Sequence, residues 1–483
     1  MRGMAHQAAI LSVTRIANYG LMIISPIILV RFLSVTDFGR YREFLLYASL
    51  LQTAAAFAIG ESLLYFIPLH PASPWRVLRQ TMILTAVISG CVVGAFVVVD
   101  LLVPGGLVGP YLVPVTLYVL LFVNLDCWEN LWLATRRPVP VFVYTALRLV
   151  ARLLVVVCVA VVTNDVTTII WSLVGLEALR FSGSLIAWKV ADRSRFEPPL
   201  EGMTRQQLRF CMPFGLATVL SMLSRNLGNV VIAKYLGVAA LAQLTIGTYG
   251  EPIILALRNS ISTVVLPELV RLGGRSPDDA LRLWHRTVVI NCLLLFPMAA
   301  IVAWYAEPLI VKAFGASYRP AIPVLQWYAV VIVCACVDFS PLLRAINRTR
   351  AFVAASVVAA LANGLTLVVL LPATGVVGAA IGLAVANLVA TVYLGFSVSR
   401  LYGSGLHRLL PWAPVAKVAL CAAGGAVIAF GITFESRATL LGAVGGSLLY
   451  GGVFVGLLKA TRLEEASDLL RRLRTLAPGP RGS

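Results

Sequence analysis

The sequence predicts an all-α, polytopic membrane protein with about fourteen transmembrane helices. Two observations predict this class: 59% of the 483 residues are hydrophobic and only 12% are charged, and apolar runs of roughly 20 residues recur along the whole chain. A bilayer core about 30 Å thick needs roughly 20 apolar residues per helix, and lipid offers no partner for unpaired backbone groups. Each run is therefore predicted to be a transmembrane helix.

The predicted spans are separated by short polar loops. They cover residues 9–31, 43–68, 80–102, 111–134, 142–162, 167–189, 209–232, 243–265, 286–306, 321–342, 350–371, 376–398, 412–434 and 438–458. The first span contains Arg15 and no small-residue cleavage site, so we expect it to remain as a signal anchor. Lys and Arg concentrate in alternate loops, and the positive-inside rule then places both termini in the cytoplasm.

The formal net charge of +18 indicates a surface that meets anions. Because the basic residues lie mainly in the predicted inner loops, we interpret the charge as contact with anionic membrane lipids and not with nucleic acid. The eight cysteines and four histidines show no spacing typical of a metal or catalytic site. No metal, no cofactor and no direct use of ATP are expected, since a Walker motif is also missing.

An internal repeat organises the predicted spans. The segment RFLSV at 31–35 follows the first span, and KYLGV at 234–238 follows the seventh, at an offset of 203 residues. Six spans return the chain to its starting side, so we expect two parallel lobes around a cavity. The predicted parts are an N-terminal six-helix lobe (1–190), a cytoplasmic linker (191–208), a C-terminal six-helix lobe (209–398), two additional spans (399–458) and a basic, amphipathic cytoplasmic tail (459–483).

Three motifs carry a resemblance to a known family. They are DFGRY at 37–41, FGASY at 314–318 and GVVGAAIG at 375–382. With these three motifs in this order, the chain resembles the polysaccharide flippase branch of the multidrug/oligosaccharidyl-lipid/polysaccharide (MOP) exporter superfamily. The resemblance covers about residues 10–400.

The resemblance implies a function and a place in the cell. It implies two lobes that alternate access and carry an undecaprenyl-pyrophosphate-linked oligosaccharide to the outer leaflet of the bacterial inner membrane. A polysaccharide polymerase or export machinery would then be a partner. Many such flippases have twelve spans. The extra pair is similar to that of peptidoglycan-precursor flippases, which leaves lipid II open as a substrate.

Charged residues inside the spans are the predicted binding site, because charge in a bilayer is costly and usually faces a cavity. Guanidinium groups match the geometry of pyrophosphate and keep their charge. The predicted headgroup ligands are Arg15, Arg148, Arg152, Arg225 and Arg258, which would make the cavity between the two lobes cationic. A packing role is the alternative for Glu177 with Arg180, one turn apart, and for Glu251 and Arg258, which could pair with other helices.

Two further sets of residues are predicted to support transport. A desolvated carboxylate in a membrane can take up a proton. The candidates for H⁺ or Na⁺ coupling are Glu61, Glu177 and Asp338, and downhill flow without ion coupling is the alternative. The candidates for an outer gate, in the predicted first outer loop, are Arg40, Tyr41 and Arg42.

Two other classes of protein remain as alternatives at this point. A drug or organic-cation antiporter of the MATE type would use the same scaffold with an acidic, aromatic-lined cavity, which the arginines inside the spans disfavour. A membrane-embedded glycosyltransferase or polymerase would present a sizeable outer loop with acidic, Arg or His groups. The longest predicted outer loops, 32–42 and 307–320, are short, so the sequence favours a flippase and not an enzyme.

Overall fold

The computed structural model describes residues 24–461 of the chain. It leaves out residues 72, 104–105, 107, 125, 136, 192–199, 274–275, 346–349, 404, 406–408 and 436–438. Within the described residues every regular element is helical and no strand is assigned. Most of the predicted first span, most of the linker and the basic tail from residue 462 lie outside the described residues.

The chain divides into two compact units, residues 1–242 and 243–483. Unit 1 contains the helices α1 to α8. They are α1 (Val35–Ala56), α2 (Leu63–Leu69), α3 (Pro74–Leu102), α4 (Leu112–Val123), α5 (Trp128–Ala134), α6 (Pro138–Thr163), α7 (Val166–Ala191) and α8 (Met203–Tyr235). Helix α1 packs against α3, α4, α7 and α8. The seventh predicted span, α8, therefore belongs to the first compact unit, whereas the lobe boundary at 191–208 stays a prediction.

Helix α9 (Val238–Gly247) crosses the boundary between the units, and unit 2 contains the remaining helices. They are α10 (Glu251–Gly273), α11 (Pro277–Trp304), α12 (Ala306–Phe314), α13 (Ile322–Cys334), α14 (Ser340–Ala345), α15 (Arg350–Thr374), α16 (Val376–Tyr402), α17 (Trp412–Ile432) and α18 (Leu440–Ala460). The last two helices pack against α11, where Trp304 stacks on Phe430 at 5.1 Å between ring centroids.

Within the described residues, ten helices are long and apolar enough to cross a membrane, or twelve if each of two bent helix pairs is one span. This confirms the all-α, multi-pass class. The predicted tenth span at 321–342 is not one continuous helix, because it is divided into α13 and α14. The first predicted span falls mostly outside the described residues, so the count of fourteen stays a prediction.

The predicted repeat coincides with the starts of two helices. Helix α1 begins at Val35 and α9 begins at Val238, which is the offset of 203 residues seen in the sequence. Each helix is followed by a sharp bend, of 46° between α1 and the segment that begins at Gly60, and of 41° between α9 and α10. Both bends interrupt a predicted span.

Each unit has its own apolar core. In unit 1, Phe38, Phe44 and Leu78 are fully buried. In unit 2, Trp284 is fully buried and stacks on Phe339 at 4.8 Å between ring centroids. Many other large apolar side chains of the spans are exposed, as expected for helices whose outer faces meet lipid.

Candidate functional site

The fourth predicted span is broken between α4 and α5. Asn124 ends the helix with an extended backbone, φ −74° and ψ 135°. The last carbonyls of a helix need donors from outside it, and the Arg180 guanidinium on α7 supplies them: Nη2 donates to the Leu121 carbonyl at 3.0 Å and to the Phe122 carbonyl at 2.7 Å. Arg180 therefore stabilises the broken form of this span.

Charged side chains of α5, α6, α7 and the break meet at this point. We call them the span-four ion cluster: Asp126, Glu129, Arg148, Glu177 and Arg180. Asp126 Oδ1 lies 3.2 Å from Nη1 of Arg148 and 3.2 Å from Nη1 of Arg180. Glu129 Oε1 lies 3.2 Å from Arg148 Nη2, and Glu177 Oε2 accepts from Arg180 Nε at 2.5 Å. Both guanidinium groups are thus paired internally.

Arg152 is a third, half-buried guanidinium beside the cluster. It faces the hydroxyl groups of Tyr118 and Tyr41 and the Glu177 carboxylate. Tyr41, a predicted gate residue, is only 4% exposed. The Tyr144 hydroxyl, also on α6, accepts from Arg180 Nη1 at 3.1 Å. Three side chains of α6 therefore face charged or aromatic neighbours within unit 1: Tyr144, Arg148 and Arg152.

The second predicted span is broken by a turn that α8 holds in place. Phe57 and Ala58 have left-handed backbones, with φ of 42° and 55°, a conformation that costs energy for residues with a Cβ. A Cβ on Gly215 of α8 would lie 2.7 Å from the Phe57 carbonyl oxygen. Gln207 of α8 donates through Nε2 to Ser62 Oγ at 2.6 Å. The close contact at Gly215 and this hydrogen bond fix the turn against α8.

A cavity of about 370 Å³ lies beside both breaks of unit 1. Its polar and charged lining residues are Ser49, Gln52, Thr53, Glu61, Thr85, Asp126, Asn130 and Thr218. The Glu61 side chain forms no ion pair or hydrogen bond with any described residue, whereas Asp126 belongs to the span-four ion cluster. Among the described residues that line the cavity there is no Lys, Arg or His. The cavity of unit 1 is therefore polar and its lining is acidic, whereas the sequence predicts a cationic cavity.

Unit 2 has a similar polar break, between α13 and α14. Asp338 lies in the break, with Oδ2 3.6 Å from Nε of Arg258 on α10. Side chains of α11 bind the carbonyls of the break: Trp284 Nε1 donates to the Asp338 carbonyl at 2.8 Å, and Asn291 Nδ2 donates to the Cys336 carbonyl at 3.3 Å. The break at Asp126 in unit 1 and the break at Asp338 in unit 2 therefore each contain an aspartate that faces an arginine of another helix.

The other predicted site residues lie apart from these clusters. Arg225 is exposed on α8 and has no ion pair or hydrogen bond within the described part of the chain. Arg40 is exposed and pairs with Asp37 at 3.1 Å, in the first turn of α1. Arg42 is half-buried. Arg15 lies outside the described residues.

Sequence reasoning missed the central position of Asp126 and Arg180. A signal was present, because Asn124 and Asp126 lie two residues apart in an apolar run, and such side chains favour turns over helix. The pairing of Arg180 with Glu177 was foreseen from their spacing and is observed. Its contacts with α4 join residues more than 50 positions apart and have no local signature.

Comparisons with known proteins identify the fold and the family. The profile of the family described as polysaccharide biosynthesis protein matches residues 28–323, more than half of the chain. No curated protein sequence matches the chain.

Solved structures that resemble this one include a flippase and two transporters. The lipid II flippase MurJ in an inward closed conformation has a TM-score of 0.68 at 14% identity, covering 92% of this chain and 99% of that one. An inward-facing multidrug resistance MATE family transporter of the MOP superfamily has a TM-score of 0.58 at 13% identity, covering 82% and 98%. A MATE transporter in complex with MaD3S has a TM-score of 0.51 at 14% identity, covering 83% and 96%.

At such low identity the solved structures identify the fold only, while the profile match identifies the family. The chain belongs to the polysaccharide biosynthesis protein family and has the fold of the MOP-superfamily transporters.

Proposed function

We propose that this protein is a flippase that moves an undecaprenyl-pyrophosphate-linked oligosaccharide from the inner to the outer leaflet by alternating access. The observation that carries the proposal is the polar cavity of unit 1, formed beside two broken spans in a member of a polysaccharide biosynthesis family. A bundle that served only as an anchor would have no need to keep unpaired polar groups such as Glu61 among its spans.

Arg225 is the proposed headgroup ligand with the best supporting geometry. It is exposed and unpaired among the described residues. It lies seven residues, about two helical turns, beyond the cavity residue Thr218, and so on the same face of α8. We also keep Arg15 and Arg258 as headgroup ligands, with Arg258 ranked below Arg225 because its Nε already lies 3.6 Å from Asp338 Oδ2.

Arg148 and Arg152 fit a different role within the same proposal. The Arg148 guanidinium is divided between Asp126 and Glu129, and Arg152 faces Glu177 and two tyrosines. A guanidinium that already neutralises carboxylates contributes less free energy to the binding of a phosphate. We propose that these two residues hold span four and do not bind the pyrophosphate directly.

Ion coupling is proposed at Glu61 first. Glu177 and Asp338 both lie close to an arginine, which favours the charged form of a carboxylate and opposes proton uptake. Glu61 has no such neighbour among the described residues. Collapse of a proton or sodium gradient should then stop net transport in the wild type.

We further propose that the protein lies in the bacterial plasma membrane with both termini in the cytoplasm and delivers its substrate to a polysaccharide polymerase or export machinery. Arg40 and Arg42, with the buried Tyr41 behind them, are proposed to form an outer gate. The ion pair between Arg40 and Asp37 at the start of α1 would hold the Arg40 side chain of such a gate in place.

The test is to identify the lipids that stay bound to the protein. Full-length protein purified gently from its own membranes is analysed by native mass spectrometry, comparing wild type, Arg225→Ala and a matched control, Arg271→Ala. Arg271 is a surface arginine whose side chain is 67% exposed. A polyprenyl-pyrophosphate saccharide bound to wild type and control but lost from Arg225→Ala supports the proposal. Bulk phospholipid alone in all three would contradict it.

The same spectra distinguish the main alternatives. A peptidoglycan precursor in place of another oligosaccharide would identify a lipid II flippase, which the similarity to MurJ favours. Export of an organic cation is favoured by the negative cavity. However, the aromatic ring of Phe122 in that cavity already lies 5.6 Å and 5.2 Å from the guanidinium carbons of Arg148 and Arg180. Binding of tetraphenylphosphonium in place of the lipid would favour the exporter.

A further inference from the structure

We propose that the cavity of unit 1 binds the saccharide part of the substrate and selects sugars without a carboxylate, that is, neutral or amino sugars over uronic acids. This inference rests on the proposed function and adds to it the class of sugar. The structure supports it through the hydrogen-bonding groups, the charge and the size of the cavity.

The hydroxyl groups of the cavity wall are oriented as acceptors. Ser49 donates to the Leu46 carbonyl at 2.9 Å, Thr53 to the Ser49 carbonyl at 2.8 Å, and Thr85 to the Thr81 carbonyl at 2.8 Å. Each hydroxyl has one proton, so the oxygen that faces the cavity can only accept. A ligand that supplies many O–H or N–H donors fits such a wall, and a sugar is a ligand of this kind.

Three other cavity side chains have unused hydrogen-bonding capacity. Gln52, Glu61 and Asn130 form no hydrogen bond with any described residue. The two amides offer both donors and acceptors, and the carboxylate offers acceptors only. Together with the hydroxyl groups they give the alternating polar contacts that a ring bearing several hydroxyl groups requires.

The charge of the cavity determines which sugars it accepts. The Asp126 carboxylate is compensated by Arg148 and Arg180, but Glu61 has no cation beside it among the described residues, and none of the lining residues there is basic. A uronate carboxylate within a few ångströms of the Glu61 carboxylate would be repelled by its negative charge. The same repulsion makes the cavity a poor site for pyrophosphate, which fits a separate headgroup ligand at Arg225.

The size of the cavity agrees with a sugar. Its volume of about 370 Å³ lies at the lower end of the range of roughly 300–1,000 Å³ usual for small-molecule sites. It accommodates part of an oligosaccharide and is far too small for a polyprenyl chain.

Equilibrium binding to the full-length protein in lipid nanodiscs tests the inference without any ion gradient. Three synthetic probes are compared: undecaprenyl pyrophosphate without sugar, the same lipid carrying N-acetylglucosamine, and the same lipid carrying glucuronic acid. The proteins are wild type, Glu61→Gln and the control Glu307→Gln, which removes a surface carboxylate that is 50% exposed. A further variant, Gln52→Leu, removes a cavity amide and leaves the charge unchanged.

We expect wild type and Glu307→Gln to bind the N-acetylglucosamine lipid about tenfold more tightly than the glucuronic acid lipid. In Glu61→Gln this ratio should fall to about two or less, through tighter binding of the glucuronic acid lipid. Gln52→Leu should weaken binding of the N-acetylglucosamine lipid about fivefold or more and leave binding of the sugar-free lipid unchanged.

Several outcomes would overturn the inference. Equal binding of both sugar lipids by wild type, or an unchanged ratio in Glu61→Gln, would exclude selection by Glu61. If the sugar lipids bound no more tightly than the sugar-free lipid, the cavity would not recognise sugar, although the proposed flippase function would stand. If none of the three lipids bound, both the inference and the proposed function would fall.

Discussion

Replacing Arg180 by methionine should destabilise unit 1 more than replacing any other member of the span-four ion cluster. The side chain is 10% exposed and its partner Glu177 is 5% exposed. The change would leave Glu177 without its hydrogen-bonded partner and the carbonyls of Leu121 and Phe122 without donors. Removing one partner of a buried ion pair costs about 3–5 kcal/mol, and we expect a loss at the lower end of this range because Arg152 still faces Glu177.

Arg148→Met is the matched comparison. Arg148 is 23% exposed. After its loss Asp126 would keep Arg180 at 3.2 Å, and Glu129 would keep the hydrogen bond from Thr145 at 3.0 Å. We therefore expect a smaller loss, of about 1–2 kcal/mol. The difference between the two variants follows from the contacts alone, since both remove one arginine.

The assay is thermal unfolding of detergent-purified protein at a single scan rate, because such unfolding is usually irreversible. The apparent Tm should decrease in the order wild type, Arg148→Met, Arg180→Met. The double variant Glu177→Gln with Arg180→Met should lose less stability than the two single variants lose together. The expected coupling free energy between the two positions is about 0.5–3 kcal/mol. An Arg180→Met protein as stable as wild type, or more stable than Arg148→Met, would refute the role given to Arg180.

Two further predictions concern single positions outside the ion cluster. Gly215→Ala would place a Cβ 2.7 Å from the Phe57 carbonyl oxygen and should cost about 1–3 kcal/mol by overpacking, whereas Gly94→Ala, in open space on α3, should not lower the Tm. Asp165 accepts at the start of α7 from the Thr168 hydroxyl at 2.7 Å and the Thr168 N–H at 2.8 Å, and these hydrogen bonds lower the pKa of Asp165 below its ordinary value of 3.8. Asp165→Ala should cost about 1 kcal/mol at pH 7. That difference should disappear as the pH falls below about 4 and through the folded pKa, and a Tm difference that persists at low pH would contradict the capping role.

The sequence predicted the all-α, multi-pass class because hydropathy reports burial in lipid directly, while the count of fourteen spans stays a prediction. The repeat was also visible, since Val35 and Val238 both begin helices at the expected offset. The breaks inside the spans were not predicted, because counting apolar residues is insensitive to backbone conformation. Phe57 and Ala58 are ordinary apolar residues, and only their packing against Gly215 explains a left-handed turn there.

The candidate site was harder to predict than the fold. Spacing along a helix identified the pair Glu177 and Arg180. It could not tell that Arg148 pairs with Asp126 and Glu129, because those contacts bring together different spans. The sequence therefore identified the charged residues of the membrane region but not which of them neutralise one another. Only the structure shows that Arg148 is paired with carboxylates and that Arg225 has no such pair among the described residues.

The most direct test of the central claim is a flipping assay in proteoliposomes. Undecaprenyl pyrophosphate carrying N-acetylglucosamine is placed in both leaflets, and a proton or sodium gradient is imposed across the membrane. A membrane-impermeant galactosyltransferase then labels the sugars it can reach from outside. If the protein is a flippase, labelling should exceed the outer-leaflet fraction and approach completion with wild type and with Arg271→Ala, while Arg225→Ala should stay near the outer-leaflet fraction. Labelling of wild type that stops at the level of protein-free liposomes would contradict the account.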